Sequence, residues 1–192
     1  MKNFSIILGA IILALFVTLV IWGVYCDNTI AITNYCVNNT KNDAKLKFVV
    51  ITDLHNKEYG EKNAGLAELV KEQNPDFIAV CGDMVNRGDP DTTKMKDVLE
   101  KLSKIAPTYC CLGNHERDNA AKFGTDFKSE TNSTGAVLLD NEYIKFTKNG
   151  KSVLIGGMSD YPYYEFYTPD DDVPSRTCLL YTSDAADEAR SV

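Results

Sequence analysis

Near the N-terminus the chain is apolar without interruption: no charge falls between Lys2 and Asp27, and "IILGAIILALFVTLVIWGVY" runs from Ile6 to Tyr25. As a helix this run spans about 30 Å, the thickness of the hydrocarbon core of a bilayer. The pattern predicts a transmembrane helix over residues 1–26. A cleaved signal peptide would carry a shorter apolar region ending at a small-residue cleavage site. Here the run closes on Trp22, Tyr25 and Cys26, with the aromatics placed as an interfacial belt has them. The expectation is therefore an uncleaved anchor, with Lys2 and the N-terminus inside and the rest of the chain outside.

Residues 27–44 read as a linker rich in Asn and Thr, in which "TIAITNYCV" alternates enough to allow an edge strand. The pattern changes at Lys45. "KLKFVVITD" is a near-continuous apolar run ending at Asp53, as expected of a strand buried on both faces. "NAGLAELVKEQ" places Leu66, Leu69 and Val70 at helical spacing before Asn74 and Pro75. "DFIAVCGD" is a second buried strand ending at Asp83, and "PTYCCLGNHE" is a third. Between them, "DTTKMKDVLEKLSKI" sets Met95, Val98, Leu99, Leu102 and Ile105 on one helical face, with a Thr or Asp available as its cap. A short helix near Ala120–Lys128, a strand in "GAVLLDN", and a hairpin in "EYIKFTKNGKSVLIGG" turning at Asn149-Gly150 complete the reading. Strands alternating with helices predict parallel β-α-β units and an α/β layered fold.

With 192 residues, 44% of them hydrophobic and 24% charged, the chain has material for one main domain. Its net charge of -7 and the absence of a Lys/Arg cluster argue against a nucleic-acid-binding surface. The six cysteines form no CxxC pair, and Cys81, Cys110 and Cys111 fall in strand-like runs, where they read as small buried hydrophobes.

The chemistry gathers at the ends of the three strands. Asp53 and His55 follow the first, Asp83 the second, and Asn114 and His115 the third. In an α/β sheet the carboxyl ends of the strands are where ligands bind, so these side chains can converge on one crevice. Two residues apart on an extended segment, Asp53 and His55 can face the same side and hold one ion; the two oxygens of Asp83 can bridge two. A mixed Asp, His and Asn set suits manganese, iron or zinc better than calcium. Two such ions form the usual clamp for phosphate ester hydrolysis, and His115 beside them can donate a proton to the leaving oxygen. Taken singly, "DLH", "GD" and "GN" are ordinary turn sequences. Their joint occurrence, in order, each after a buried strand, is what carries the reading.

"DLH", "GDMVNRG" and "GNHE" resemble the first three motif blocks of the calcineurin-like metallophosphoesterases, and the N-terminal helix with "NPDFIAVCGDMVNRGDP" and "LLDNE" is similar to their membrane-anchored bacterial branch. The resemblance implies a layered β-sandwich of two sheets flanked by helices over 45–177, in a bacterial cytoplasmic membrane. It implies that Asp53 and His55 bind one divalent ion and Asp83 bridges two. Asn114 would bind the second ion and touch phosphate, and His115 would assist the leaving group. Arg87 resembles a phosphate-touching arginine, while its plainer reading is a solvated loop residue; Asn86 stands where an Asp is common. The resemblance also implies further histidines downstream, one alone and then in a GHxH block, and this chain has none after His115. Instead "CLLYTSDAADE" at Cys178–Glu188 resembles one translated frame of a transposase end sequence used in preparing sequencing libraries, so 178–192 is expected to be a non-native tail. On this reading the fold is incomplete at its C-terminus and the 192-residue chain is inactive. Two functions follow: a metal-dependent phosphoesterase attacking phosphomonoesters or phosphodiesters with metal-activated water, or a non-catalytic membrane-tethered α/β module binding phosphate or metal weakly.

Overall fold

Runs of β-branched, aromatic and cysteine residues become strands where parallel neighbours pair with them: Phe77–Cys81 is buried as expected, whereas Phe48–Ile51, expected to be buried on both faces, leaves Phe48 and Val50 exposed. The computed structural model describes residues 2–37, 45–158 and 179–182. The chain divides into two units, Met1–Cys36 and Val37–Val192. The first is dominated by helix α1 (Lys2–Asp27), in which Ile6–Asp27 is long and apolar enough to cross a membrane. Its large side chains, from Ile6 to Tyr25, are exposed on every face, as a helix facing lipid requires. The Thr18 hydroxyl turns back to the Ala14 carbonyl at 2.8 Å, so even this polar group is satisfied within the helix. No strand forms over Thr29–Val37; alternation alone does not make a strand without a partner, and Tyr35 and Val37 stand in solvent.

The second unit begins with a four-stranded sheet of β1 (Phe48–Ile51), β2 (Phe77–Cys81), β3 (Thr108–Cys111) and β4 (Val137–Leu138), parallel throughout and lying in chain order. Parallel neighbours need crossover connections. Helix α2 (Ala64–Glu72) supplies the first, α3 (Thr93–Ser103) the second, and α4 (Asn114–Phe123) with α5 (Phe127–Asn132) the third. The start of α3 is capped one residue early, where Asp91 Oδ1 accepts the Thr93 N–H at 2.9 Å. A second sheet joins β5 (Glu142–Lys148), β6 (Lys151–Gly157) and β7 (Leu179–Thr182), all antiparallel. The β5–β6 turn is Asn149-Gly150, both at positive φ (52° and 77°), as a two-residue hairpin demands.

The uninterrupted apolar run of β2 is explained by burial on both faces. Phe77 and Ala79 look toward the second sheet, where they pack with Leu139, Val153 and Ile155, joined by Tyr109, Ile144 and Phe146. Phe77 meets the Phe146 ring at 5.2 Å and 58°, a tilted aromatic pairing. On the opposite face Val80, Cys110 and Leu138 share an apolar space with Met95 and Leu99 of α3. Each large side chain buried this fully contributes about 1.5–3 kcal/mol. Helices, parallel sheet and antiparallel sheet are thus stacked in three layers, the layered α/β arrangement expected. Asp76 ties the layers at one end: its carboxylate accepts the Lys47 N–H at 2.8 Å and meets the Lys148 ammonium from β5.

Two expectations are corrected. The single helix near Ala120–Lys128 is two helices, broken at Gly124 in the left-handed region (φ 71°) and restarted by Asp126, whose Oδ1 accepts the Ser129 N–H. The third strand stops at Cys111, and Asn114 and His115 open α4 instead of extending the strand. That helix start is specified by a carboxylate from another loop: Asp83 Oδ1 accepts the His115 N–H at 3.0 Å, which local periodicity does not contain. Within the expected tail, Leu179–Thr182 pairs with β6, from Gly156↔Leu179 to Val153↔Thr182. The rest of 178–192, and the aromatic and acidic stretch Tyr161–Thr177, lie outside the described residues.

Candidate metal centre

The loops that leave β1 and β2 are bonded to each other beyond the strand ends. Asp53 N–H donates to Gly82 O at 3.2 Å, His55 N–H to Asp83 O at 3.0 Å, and Asn56 N–H to Met84 O at 2.9 Å. To make these bonds, Asp53, His55, Asn56 and Asp83 all adopt left-handed backbone, with φ of 56°, 49°, 57° and 52°. Such conformations cost about 1–2 kcal/mol each in a non-glycine residue. They persist only where the surroundings over-determine them, and they concentrate at functional sites.

The β3 loop is brought in by close backbone approach. A Cβ on Gly82 would lie 2.3 Å from Gly113 N, and one on Gly113 would lie 2.2 Å from Asp83 Oδ1. Both glycines are therefore dictated by contact, which is the physical content of "GD" and "GN". Glu116, only 2% exposed, closes the junction. Its Oε2 accepts N–H bonds from Asp83 (2.9 Å) and Gly113 (2.8 Å), and its Oε1 from Met84 (2.7 Å) and Val85 (3.1 Å). One buried carboxylate thus satisfies four backbone donors from two loops, the condition under which a buried charge is tolerated.

Inside this frame the six residues picked out in the sequence meet. Ligand atoms of Asp53, His55 and Asp83 all lie within 4.8 Å of one another. His55 Nε2 is 3.5 Å from Asp53 Oδ1, and Thr52 Oγ1 steadies the other Asp53 oxygen at 2.7 Å. His55 Nδ1 is buried and has no partner among the described residues. Two carboxylates and an imidazole aimed at one space, with an unsatisfied ring nitrogen beside them, fit a divalent cation with mixed nitrogen and oxygen preference. In the orientation that satisfies its hydrogen bonds, the Asn114 amide donates to Asp83 Oδ1 (3.1 Å) and Oδ2 (2.9 Å) and accepts from Arg87 Nη2 at 2.6 Å. Arg87 Nε pairs with Asp118 Oδ2 at 2.8 Å. The His115 ring lies 4.6 Å from the His55 ring, and its Nδ1 is 3.1 Å from Val85 O. A carbonyl can only accept, so Nδ1 carries a hydrogen and Nε2 is the nitrogen available for chemistry.

Glu116 and Asn119, the two fully buried polar residues of α4, do not stand out in the sequence. Their signal is faint, because a carboxylate or amide in a polar helix looks solvated until the loop it binds is known. The family model for the calcineurin-like phosphoesterase matches residues 46–188. The chain is 28% identical over 120 residues to a protein of Bacillus subtilis described as "Uncharacterized metallophosphoesterase YkoQ", covering 61% of this chain and 44% of that one. It is 29% identical over 119 residues to "Phosphodiesterase YaeI" of Escherichia coli, covering 60% of this chain and 44% of the relative. The chain thus spans less than half the length of the curated relatives it matches. A phosphoesterase family whose members use divalent metals is what the converging carboxylates and imidazole call for: the chain belongs to the calcineurin-like phosphoesterase family.

Proposed function

We propose that the protein is a metal-dependent phosphoesterase, anchored in a bacterial cytoplasmic membrane by α1, that hydrolyses phosphomonoesters or phosphodiesters at a site for two divalent ions, manganese, iron or zinc. The observation that carries this reading is the convergence of Asp53, His55 and Asp83 within 4.8 Å on backbone that is left-handed at all three. Asp53 and His55 would hold one ion, Asp83 would bridge to the second, and Asn114 would complete that second shell. Ions held there lower the pKa of water and polarise a phosphoryl oxygen. Arg87 supplies N–H donors to the phosphoryl group. His115, held through Nδ1–H by Val85 O, points Nε2 toward the leaving oxygen, to which the doubly protonated ring would give its Nε2 proton. Bacterial relatives and an N-terminal helix long and apolar enough to cross a membrane support the placement; the orientation, N-terminus inside and domain outside, rests on Lys2 and the amino terminus ahead of that helix. Manganese-stimulated cleavage of bis(4-nitrophenyl) phosphate by the full-length protein tests the reading. Asp83→Asn should lower that rate roughly 100-fold or more; an unchanged rate rejects it.

A further inference from the structure

Helix α4 carries its two buried polar side chains one turn apart, and both are spent on the loop that follows β2. Glu116 takes the N–H groups of Asp83–Val85, as described above. Asn119, 0% exposed, takes the next stretch. Its Oδ1 accepts the Gly88 N–H at 2.7 Å, and its Nδ2 donates to the carbonyls of Asn86 at 2.9 Å and Asp89 at 2.8 Å. The amide therefore grips the backbone on both sides of Arg87. The far end of the loop is pinned too, since Asn56 Nδ2 donates to Asp89 Oδ2 at 2.9 Å.

The Arg87 side chain then returns to the same helix, pairing with Asp118 and meeting the Asn114 amide. Its side chain is 58% exposed, and an exposed ion pair by itself holds a long side chain only weakly. What differs here is that the backbone from which Arg87 reaches is fixed by a buried amide. A guanidinium has five N–H donors, and these two contacts use two of them. If Asn114 ligates an ion, its oxygen must turn away from Arg87. Asp118 and the Asn119-held backbone are then what keep the guanidinium in place.

We propose that Asn119 and Asp118 are positioning residues for Arg87: α4 presents the guanidinium beside Asp83 and Asn114 so that its remaining donors bind an oxyanion, a phosphoryl group, at the metal centre. This rests on the phosphoesterase reading and adds to it two residues outside the motif blocks.

The test uses the full chain in detergent, titrated first with manganese and then, at saturating manganese, with inorganic phosphate. The variants are Arg87→Ala, Asp118→Ala, Asn119→Ala and the two doubles with Arg87→Ala. The Asn119 change should weaken phosphate about tenfold and the Asp118 change about threefold, with manganese affinity within about twofold of wild type. Neither should weaken phosphate further once Arg87 is gone, a coupling that general destabilisation does not produce. Asp118 is exposed, so its cycle decides the matter if Asn119→Ala does not fold. Additive losses, unchanged phosphate affinity in the single variants, or no phosphate uptake by the manganese-loaded wild type overturn the inference alone. A wild-type chain that takes no manganese overturns the phosphoesterase reading and the inference with it.

Discussion

The carboxylate of Glu116 accepts the amide N–H of Asp83 at 2.9 Å, across 33 residues of sequence. The same group holds Met84, Val85 and Gly113, so the bridging candidate Asp83 sits on a loop whose shape is set by α4. Glu116→Gln keeps one acceptor oxygen and turns an NH2 toward two backbone donors. It should destabilise the domain by about 2–4 kcal/mol, the cost of leaving two buried N–H groups unpaired. Urea unfolding followed by circular dichroism reads the loss; a midpoint equal to wild type would mean the four bonds are dispensable.

His115 makes a separable prediction, because its ring leans on Val85 O and its backbone N–H on Asp83. His115→Asn in the full-length protein should leave manganese affinity near wild type while lowering turnover of a nitrophenyl ester by about 10²–10⁴-fold, the usual worth of a general acid. Steady-state kinetics beside a manganese titration distinguishes this from loss of a ligand, which would lower both.

Much of this was legible in the sequence, and for identifiable reasons. The strand Phe77–Cys81 is buried on both faces and appears as an unbroken apolar run; Phe48–Ile51 is an equally apolar run yet leaves Phe48 and Val50 exposed, so the run marks the strand without fixing its burial, and the polar residue ending each run is where the crevice forms. Residues whose role depends on a partner far along the chain were not legible. Gly82 and Gly113 look like turn glycines until their backbones are seen in contact. Asn119 looks solvated until the Asn86–Asp89 loop folds over it. The start of α4 at Asn114 is hidden for the same reason: its first-turn N–H at His115 is met by Asp83.

Asp76 provides a pH test of the fold away from the site. Burial opposes its ionisation, but Lys148 and the Lys47 N–H outweigh that and hold its carboxyl below the usual value. A carboxyl whose folded pKa is lowered contributes stability that is fully present above its unfolded pKa, about 3.9, and is lost as pH falls through the folded value. Asp76→Asn should therefore cost about 1–2 kcal/mol at pH 7 and progressively less below pH 4. Urea midpoints of the two proteins at pH 7 and pH 3 check this; an equal gap at both would show that Asp76 acts by packing and not by charge.

The central claim is that Asp53, His55 and Asp83 together hold a divalent cation. A manganese titration of the chain in detergent, read by the loss of the free-ion paramagnetic resonance signal, tests it most directly. Wild type should remove manganese saturably, and Asp83→Ala should weaken that binding roughly 100-fold or more while the chain stays folded. Equal binding by wild type and Asp83→Ala, or no saturable binding by wild type, would contradict the account.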